Sequence, residues 1–386
     1  MIRKSLMVVP AISVAVAAYS LLALAQTTWV PAKGAMLPWG QPSDMVAWET
    51  FVQVTAPSGN PQAKAVEFET WASDEDIYVT SPPTWPKAGA TKQLRSSLLG
   101  NLTLRHGVRP QIIAPDQCTQ NYDKTAARNA GFTETGCIGE EVRRNWASFQ
   151  YIVSNQLYSI VGLKNAFGSS LKVDLPADAI EVKADWIRMS DAAAWYQMTE
   201  QQVRNTFYTN VATSGAVTSE FALVSFHFSS KQIKNWVWAD FEHQLNPGRC
   251  DDTGCHDQFG ATIADVESKT PPNQRYGECK KSPAVQAMFA NGGIDAVWQN
   301  YCLKGSQIDF VQDGKNIILG NSVIERINAG VPVLQSSCIT CHAYASFDST
   351  GNTGGPPSPP AVGPVNQQLL NGLKTNDFIW GNGLAR

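Results

Sequence analysis

Phe221-Ala222-Leu223-Val224-Ser225-Phe226-His227-Phe228, followed by Asn235-Trp236-Val237-Trp238-Ala239-Asp240-Phe241-Glu242-His243, is the stretch whose reading decides the fold. Both runs are dense in aromatic and β-branched residues, which suit a pleated backbone. Ser229 to Lys234 between them is short and polar, so the runs read as an antiparallel hairpin. Aromatics fall on both faces, which predicts a hairpin covered on each side, by the core and by a cofactor.

Outward from the hairpin, Ile180, Val182, Ala184 and Trp186 alternate with Glu181, Lys183 and Asp185, the pattern of a half-buried strand. Ala65 to Trp71 alternates similarly and predicts another. The proline-rich Ser81 to Pro86 then denies the backbone donors a sheet needs. Glu140 to Tyr158 predicts a helix, with acids at its start and Trp146, Phe149, Ile152 and Val153 on one face. From about residue 270 the texture changes. Pro283 to Gly293, Ile294 to Cys302, Asn321 to Ala329 and Val365 to Leu373 predict short helices. The expected fold class is α+β, mainly β: a β-rich body of antiparallel hairpins over 26–270, with a small helical C-terminal lobe, 271–386, packed on it. The 12 tryptophans, 22 prolines and 29 glycines fit a loop-rich β body and not a helical bundle.

Residues 1–25 combine Arg3 and Lys4, an apolar run from Ser5 to Leu22, and Ala23-Leu24-Ala25, the order of a cleavable export signal. An uncleaved anchor is the rival reading, weakened by Pro10 and Ser13 within the run. Trp29 to Pro42 reads as an extended arm. Loss of Arg3 and Lys4 on cleavage takes the formal charge from −3 to −5. A mildly acidic chain of this kind is a poor partner for nucleic acid or anionic lipid. The expectation is a periplasmic or secreted protein with no membrane association after cleavage.

The most specific chemical signal is Cys338-Ile339-Thr340-Cys341-His342. Two thiols three residues apart on one helical turn can each add across a vinyl group of one porphyrin. The adjacent histidine then supplies the proximal ligand of the iron. Haem c, one per chain and covalent through Cys338 and Cys341, is the implied cofactor. The rival is a CxxC disulfide or redox pair that happens to precede a histidine. Six cysteines remain, an even number that suits an oxidising compartment. Sequential pairing, 118–137, 250–255 and 279–302, closes the shortest local loops. Cys250-Asp251-Asp252-Thr253-Gly254-Cys255-His256 also has the spacing of a variant haem site, yet Asp-Asp-Thr-Gly is turn chemistry and favours a disulfide. Asp251, Asp252 and Asp257 lack the regular spacing of a calcium loop.

No methionine or histidine follows His342. A second iron ligand must therefore come from upstream: His106, His227, His243 or His256, or Met36, Met45, Met189, Met198 or Met288. His243, at the end of an aromatic strand, is the first candidate. Trp236 and Trp238 could wall a haem pocket or relay electrons. There is no Gly-x-Ser-x-Gly, His-Glu-x-x-His, Walker or dinucleotide signature.

The pentapeptide resembles the attachment site of the c-type cytochrome superfamily. More broadly, Trp236 to His243 together with Ser336 to His342 looks like a group of exported bacterial cytochrome c family proteins. The resemblance implies a single-haem exported protein that exchanges electrons with a protein or small-molecule partner, and implies no substrate. The missing downstream methionine departs from the small class I cytochromes, so their fold does not transfer. A haem enzyme of peroxidase or oxygenase type with an open distal site is the alternative. A secreted binding module whose CxxC is a disulfide is the third.

Overall fold

A computed structural model describes residues 43–59, 65–87, 124–132, 136, 138–214, 216–261, 273–354 and 362–385. The expected signal segment, the arm from Trp29 to Pro42, Met36, His106 and the pair Cys118–Cys137 lie outside the described residues.

Seven strands form one antiparallel sheet: β1 (Ala72–Ser73), β2 (Ile138–Arg144), β3 (Ile180–Arg188), β4 (Thr209–Ser214), β5 (Val217–Ser230), β6 (Val237–His243) and β7 (Tyr301–Gln307). The order is β1-β2-β3-β5-β6-β7, and the long β5 also pairs β4 beside its first half. The α+β class is as the periodicity requires, and β5–β6 is the expected hairpin, pairing Ser225 with Glu242 through Ser230 with Val237. All seven residues of β6 are buried, so the hairpin is covered on both faces. The region after 271 contributes β7 to the body's own sheet, hydrogen-bonded to β6.

One face of the sheet is aromatic. Phe226 and Phe228 of β5, Phe241 of β6 and Tyr301 of β7 meet Trp48 and Phe51 from the helix Ser43–Thr55, and Phe289 from the helix Pro283–Gly292. Phe51 is the hub. Its ring lies 4.6 Å from Phe241, 5.5 Å from Phe289, 5.6 Å from Phe226 and 5.9 Å from Trp298.

The other face is layered. Trp236 and Trp238 pack at one end with Leu319, Ile339 and Phe347, while Ile187, Ala222 and Val224 pack at the other with Val323 and Ile327. Between them runs a polar band in register: Lys183 opposite His227, Asp185 opposite Ser225, His227 opposite Asp240, Ser225 opposite Glu242. The pairing slips by one residue at Asp185/Trp186 and at Asp240/Phe241. Bulges of this kind re-aim side chains next to functional sites.

Three local expectations are corrected. Glu140 to Arg144 is strand, with the helix confined to Trp146–Ser154. Glu140 pairs across to Lys183 of β3 at 2.7 Å, and buried Arg143 donates to Glu141 of its own strand at 2.7 Å and to the Trp71 carbonyl at 2.9 Å. Asn145 then caps the helix, accepting from the Ser148 N–H at 3.1 Å. Ala65 to Trp71 contains a 3₁₀ turn, Glu67–Thr70, because the buried Glu69 carboxylate folds back to accept from the Val66 N–H at 3.0 Å and the Tyr208 hydroxyl at 2.6 Å. Ile294 to Cys302 holds only a 3₁₀ turn, Ala296–Asn300, before β7 begins.

Cys250–Cys255 and Cys279–Cys302 are disulfides, as sequential pairing anticipates. Cys279–Cys302 spans 23 residues and ties the segment before the helix Pro283–Gly292 to β7. Loop-closure entropy makes it the more stabilising of the two, worth about 3 kcal/mol against about 2 for the shorter loop. Replacing both cysteines of the longer bridge with serine should lower the urea midpoint more than the same change at 250 and 255, and equal midpoints would contradict that ranking.

Candidate functional site

The pentapeptide forms a helix, Cys338–Ala343, laid against the layered face of the sheet. Ser337 caps it, its Oγ accepting from the Thr340 N–H at 3.4 Å. Gln307 at the end of β7 fixes its first turn, accepting from the Ile339 N–H at 3.2 Å and donating to Ser337 Oγ at 2.9 Å. Thr340 donates to the Gly363 carbonyl at 2.7 Å. Each contact orients the helix so that Cys338 and His342, one turn apart, share a side.

Cys338 and Cys341 are free thiols, whereas the other four described cysteines are bridged. Burial pushes the Cys341 thiol up to about 11, and the charge of Glu325 adds to the rise. Burial pushes Cys338 well above the ordinary range as well, with Glu325 and Asp240 adding. Redox and nucleophilic cysteines need the opposite, a depressed thiol beside positive charge. Here the two thiols are unbridged, and burial is the largest influence on both.

His342 packs against Trp238, with ring centroids 4.6 Å apart. Its Nδ1–H donates to the Phe378 carbonyl at 2.8 Å, which leaves Nε2 as the lone-pair nitrogen. Burial lowers its pKa to about 4, so the imidazole is neutral at pH 7 and able to ligate. Trp236 continues the wall, 6.3 Å from Trp238 between ring centroids, and Lys231 sits over it at 5.7 Å.

The structure does not bring His243 to this helix. It lies on the aromatic side of β6, stacked on Phe207 at 3.6 Å and edge-on to Tyr301 at 5.2 Å. Its Nε2–H donates to the Thr206 carbonyl at 3.1 Å, and its Nδ1 accepts from the Leu245 N–H at 3.2 Å. Both nitrogens are used, so it has no lone pair for a metal. The reason is strand alternation: Trp238 and Asp240 face the pentapeptide, while Phe241 and His243, at odd positions of the same strand, face the other way. His256 is exposed and donates Nε2–H to the Thr253 carbonyl, beside a closed Cys250–Cys255 bridge that leaves no thiol for a second haem. Met189 and Met198 belong to the cluster around Ile187, and Met288 to the aromatic face. The acids after Pro247 are structural: Asp251 accepts from Tyr276 at 2.6 Å, and Asp257 accepts from the Trp48 indole at 3.0 Å.

His227 is the histidine that does reach the pentapeptide. A ring nitrogen of His227, a carboxylate oxygen of Glu325 and Cys338 Sγ all lie within 4.8 Å of one another. Glu325, on the single helical turn Ile324–Ala329, was not among the residues expected to matter. Around this trio the polar band supplies Lys183, Asp185 and Asp240, and burial pushes both aspartates up. A buried band of unlike charges is expensive to maintain in an apolar interior. It marks this place on the sheet as more than packing.

No protein-family model, no curated protein and no solved structure matches this chain.

Proposed function

We propose that this chain is an exported single-haem c-type protein that transfers electrons, with Cys338 and Cys341 as thioether attachment points and His342 as the proximal iron ligand. One observation carries the reading. The two cysteines that follow CxxCH spacing are paired neighbours on one turn yet stay thiols, in a chain whose other described cysteines are oxidised. Beside them, His342 has its Nδ1–H tied to Phe378, the arrangement that fixes a ligating imidazole's tautomer and orientation.

The residues present suit such a group. Protonated thiols are the species that add across a vinyl double bond, S to one carbon and H to the other, with nothing lost. Covalent haem supplies a one-electron iron couple whose potential follows axial ligation, burial and nearby charge. The chain's part is to hold it and set that environment. Trp238 walls the His342 side, its ring 4.6 Å from the imidazole. Lys183, held charged by Glu140 at 2.7 Å, and the acids Glu325 and Asp240 set the local field. The bridges Cys250–Cys255 and Cys279–Cys302 suit an oxidising, extracytoplasmic setting. No helix among the described residues is long and apolar enough to cross a membrane.

The test is electrochemical. The purified holoprotein should titrate reversibly as a single one-electron centre, with an optical spectrum unchanged by hydrogen peroxide. A spectrum that shifts on peroxide addition, with turnover of a reducing substrate, would replace electron transfer with enzymology.

A further inference from the structure

We infer that His227 is the second protein ligand of the haem iron, and that Glu325 is the positioning residue at its Nδ1. The inference rests on the covalent-haem reading above and names what that reading leaves open.

Four histidines lie among the described residues, and their nitrogens divide them cleanly. His243 and His256 donate Nε2–H to backbone carbonyls, of Thr206 and Thr253. His227 and His342 do neither. His342 directs Nδ1 at the Phe378 carbonyl, and His227 directs Nδ1 at Glu325 Oε1, 3.9 Å away. In each case an oxygen stands at Nδ1 and no protein group hydrogen-bonds Nε2. The Glu325 distance is beyond a hydrogen bond, within reach of one by a small side-chain rotation. Metal-bound imidazoles show this pattern: the distal nitrogen's N–H goes to a carbonyl or carboxylate, and the other nitrogen binds.

His227 is also an unsatisfied buried group. It is 8 % exposed, and its Nδ1 has no hydrogen-bond partner. A buried polar atom left unpaired destabilises the fold, so it calls for an occupant or a role. Its neighbours do not supply one. In register it lies between Lys183 on β3 and Asp240 on β6. Lys183 is committed to Glu140, and Asp240 accepts from Asn321 at 2.6 Å. From the opposing layer come Glu325 and Cys338, which approach within 4.8 Å. His227 is thus placed on the sheet, against the first cysteine of the attachment helix, with His342 one turn further along that helix's same side. Glu325 is itself anchored, its Oε2 accepting from the Asn321 N–H at 2.6 Å, so its carboxylate has a fixed direction from which to hold an imidazole.

Low-temperature EPR and near-infrared magnetic circular dichroism of the exported ferric holoprotein test this, with a pyridine haemochrome run on the same samples to count attached haem. The wild type should be low-spin with a two-imidazole ligand pair. His227→Ala should keep one covalent haem and lose the low-spin signal, and added imidazole should restore it. His227→Met should stay low-spin with the spectrum of an imidazole–thioether pair. Glu325→Gln should stay low-spin with a shifted midpoint potential, as a positioning residue requires. His243→Ala should change nothing. The near-infrared spectrum of the wild type needs no variant, so a misfolded His227→Ala leaves the question decidable. A high-spin wild type, or a low-spin His227→Ala, overturns the assignment while leaving covalent haem intact. A chain with no covalent haem overturns the underlying reading and this assignment with it.

Discussion

Cys338→Ser combined with Cys341→Ser is expected to abolish covalent haem completely while leaving an exported, folded chain. The loss follows from chemistry: a hydroxyl does not replace a thiol in forming the thioether link. The fold should survive because serine is nearly the size of cysteine and neither side chain is part of the sheet itself. Cys338 packs in the cluster with Trp238 and Leu319, where a serine of similar size fits. Its polar contact is Sγ to the Leu319 carbonyl at 3.6 Å, and the helix is held by Ser337, Gln307 and Thr340. Each serine variant alone should retain haem through one thioether, with the haemochrome band displaced from its two-thioether position. The contrast is informative because the rival disulfide makes a different prediction. Were Cys338 and Cys341 a structural bridge, either single change would break it, and all three variants would lose stability equally. Far-ultraviolet circular dichroism and a urea titration, read beside the haem count, separate the two outcomes.

Phe51→Ala is expected to destabilise the chain by about 3–5 kcal/mol, the range for truncating a well-packed buried phenylalanine. Phe51 is completely buried, and its ring touches five others: Trp48, Phe226, Phe241, Phe289 and Trp298. Those partners come from the helix Ser43–Thr55, from the central hairpin and from the segment 283–300. The cavity would therefore open where three parts of the chain meet, and none of them can collapse into it alone. An exposed aromatic gives the control. Trp146 is 51 % exposed, so Trp146→Ala should cost well under half as much. Urea midpoints that fall equally for both would remove Phe51 from the centre of the core.

The sheet was legible because its strands carry their own period. The runs at 180–188 and 221–243 alternate so strongly that tertiary context had little to override. The helix expected from Glu140 failed for a local reason. Glu140, Glu141, Arg143 and Arg144 resemble a charged helix surface, and only the cross-strand partners Lys183 and Glu181 reveal them as strand. The proposed attachment residues stand out by spacing alone, and the structure adds the helix that carries them, Cys338–Ala343.

Which histidine lies near the pentapeptide was not legible. His243 and His227 both sit in aromatic strands, and the pairing of Phe226 with Phe241 and of His227 with Asp240 puts them on opposite faces. A signal did exist: Ser225, His227 and Ser229 interleave with Phe226 and Phe228, and Asp240 and Glu242 interleave with Ala239 and Phe241. Read together, those alternations put His227 on a polar stripe opposite the phenylalanines. Glu325 carried no comparable signal, because its meaning lies in a contact with a strand about a hundred residues away in sequence.

The most direct measurement is the intact mass of the exported chain, taken with its pyridine haemochrome spectrum. The proposal predicts a mass increased by one haem that survives denaturation, and a haemochrome with the band position of two thioether links. A colourless chain whose mass is that of the polypeptide alone would contradict it.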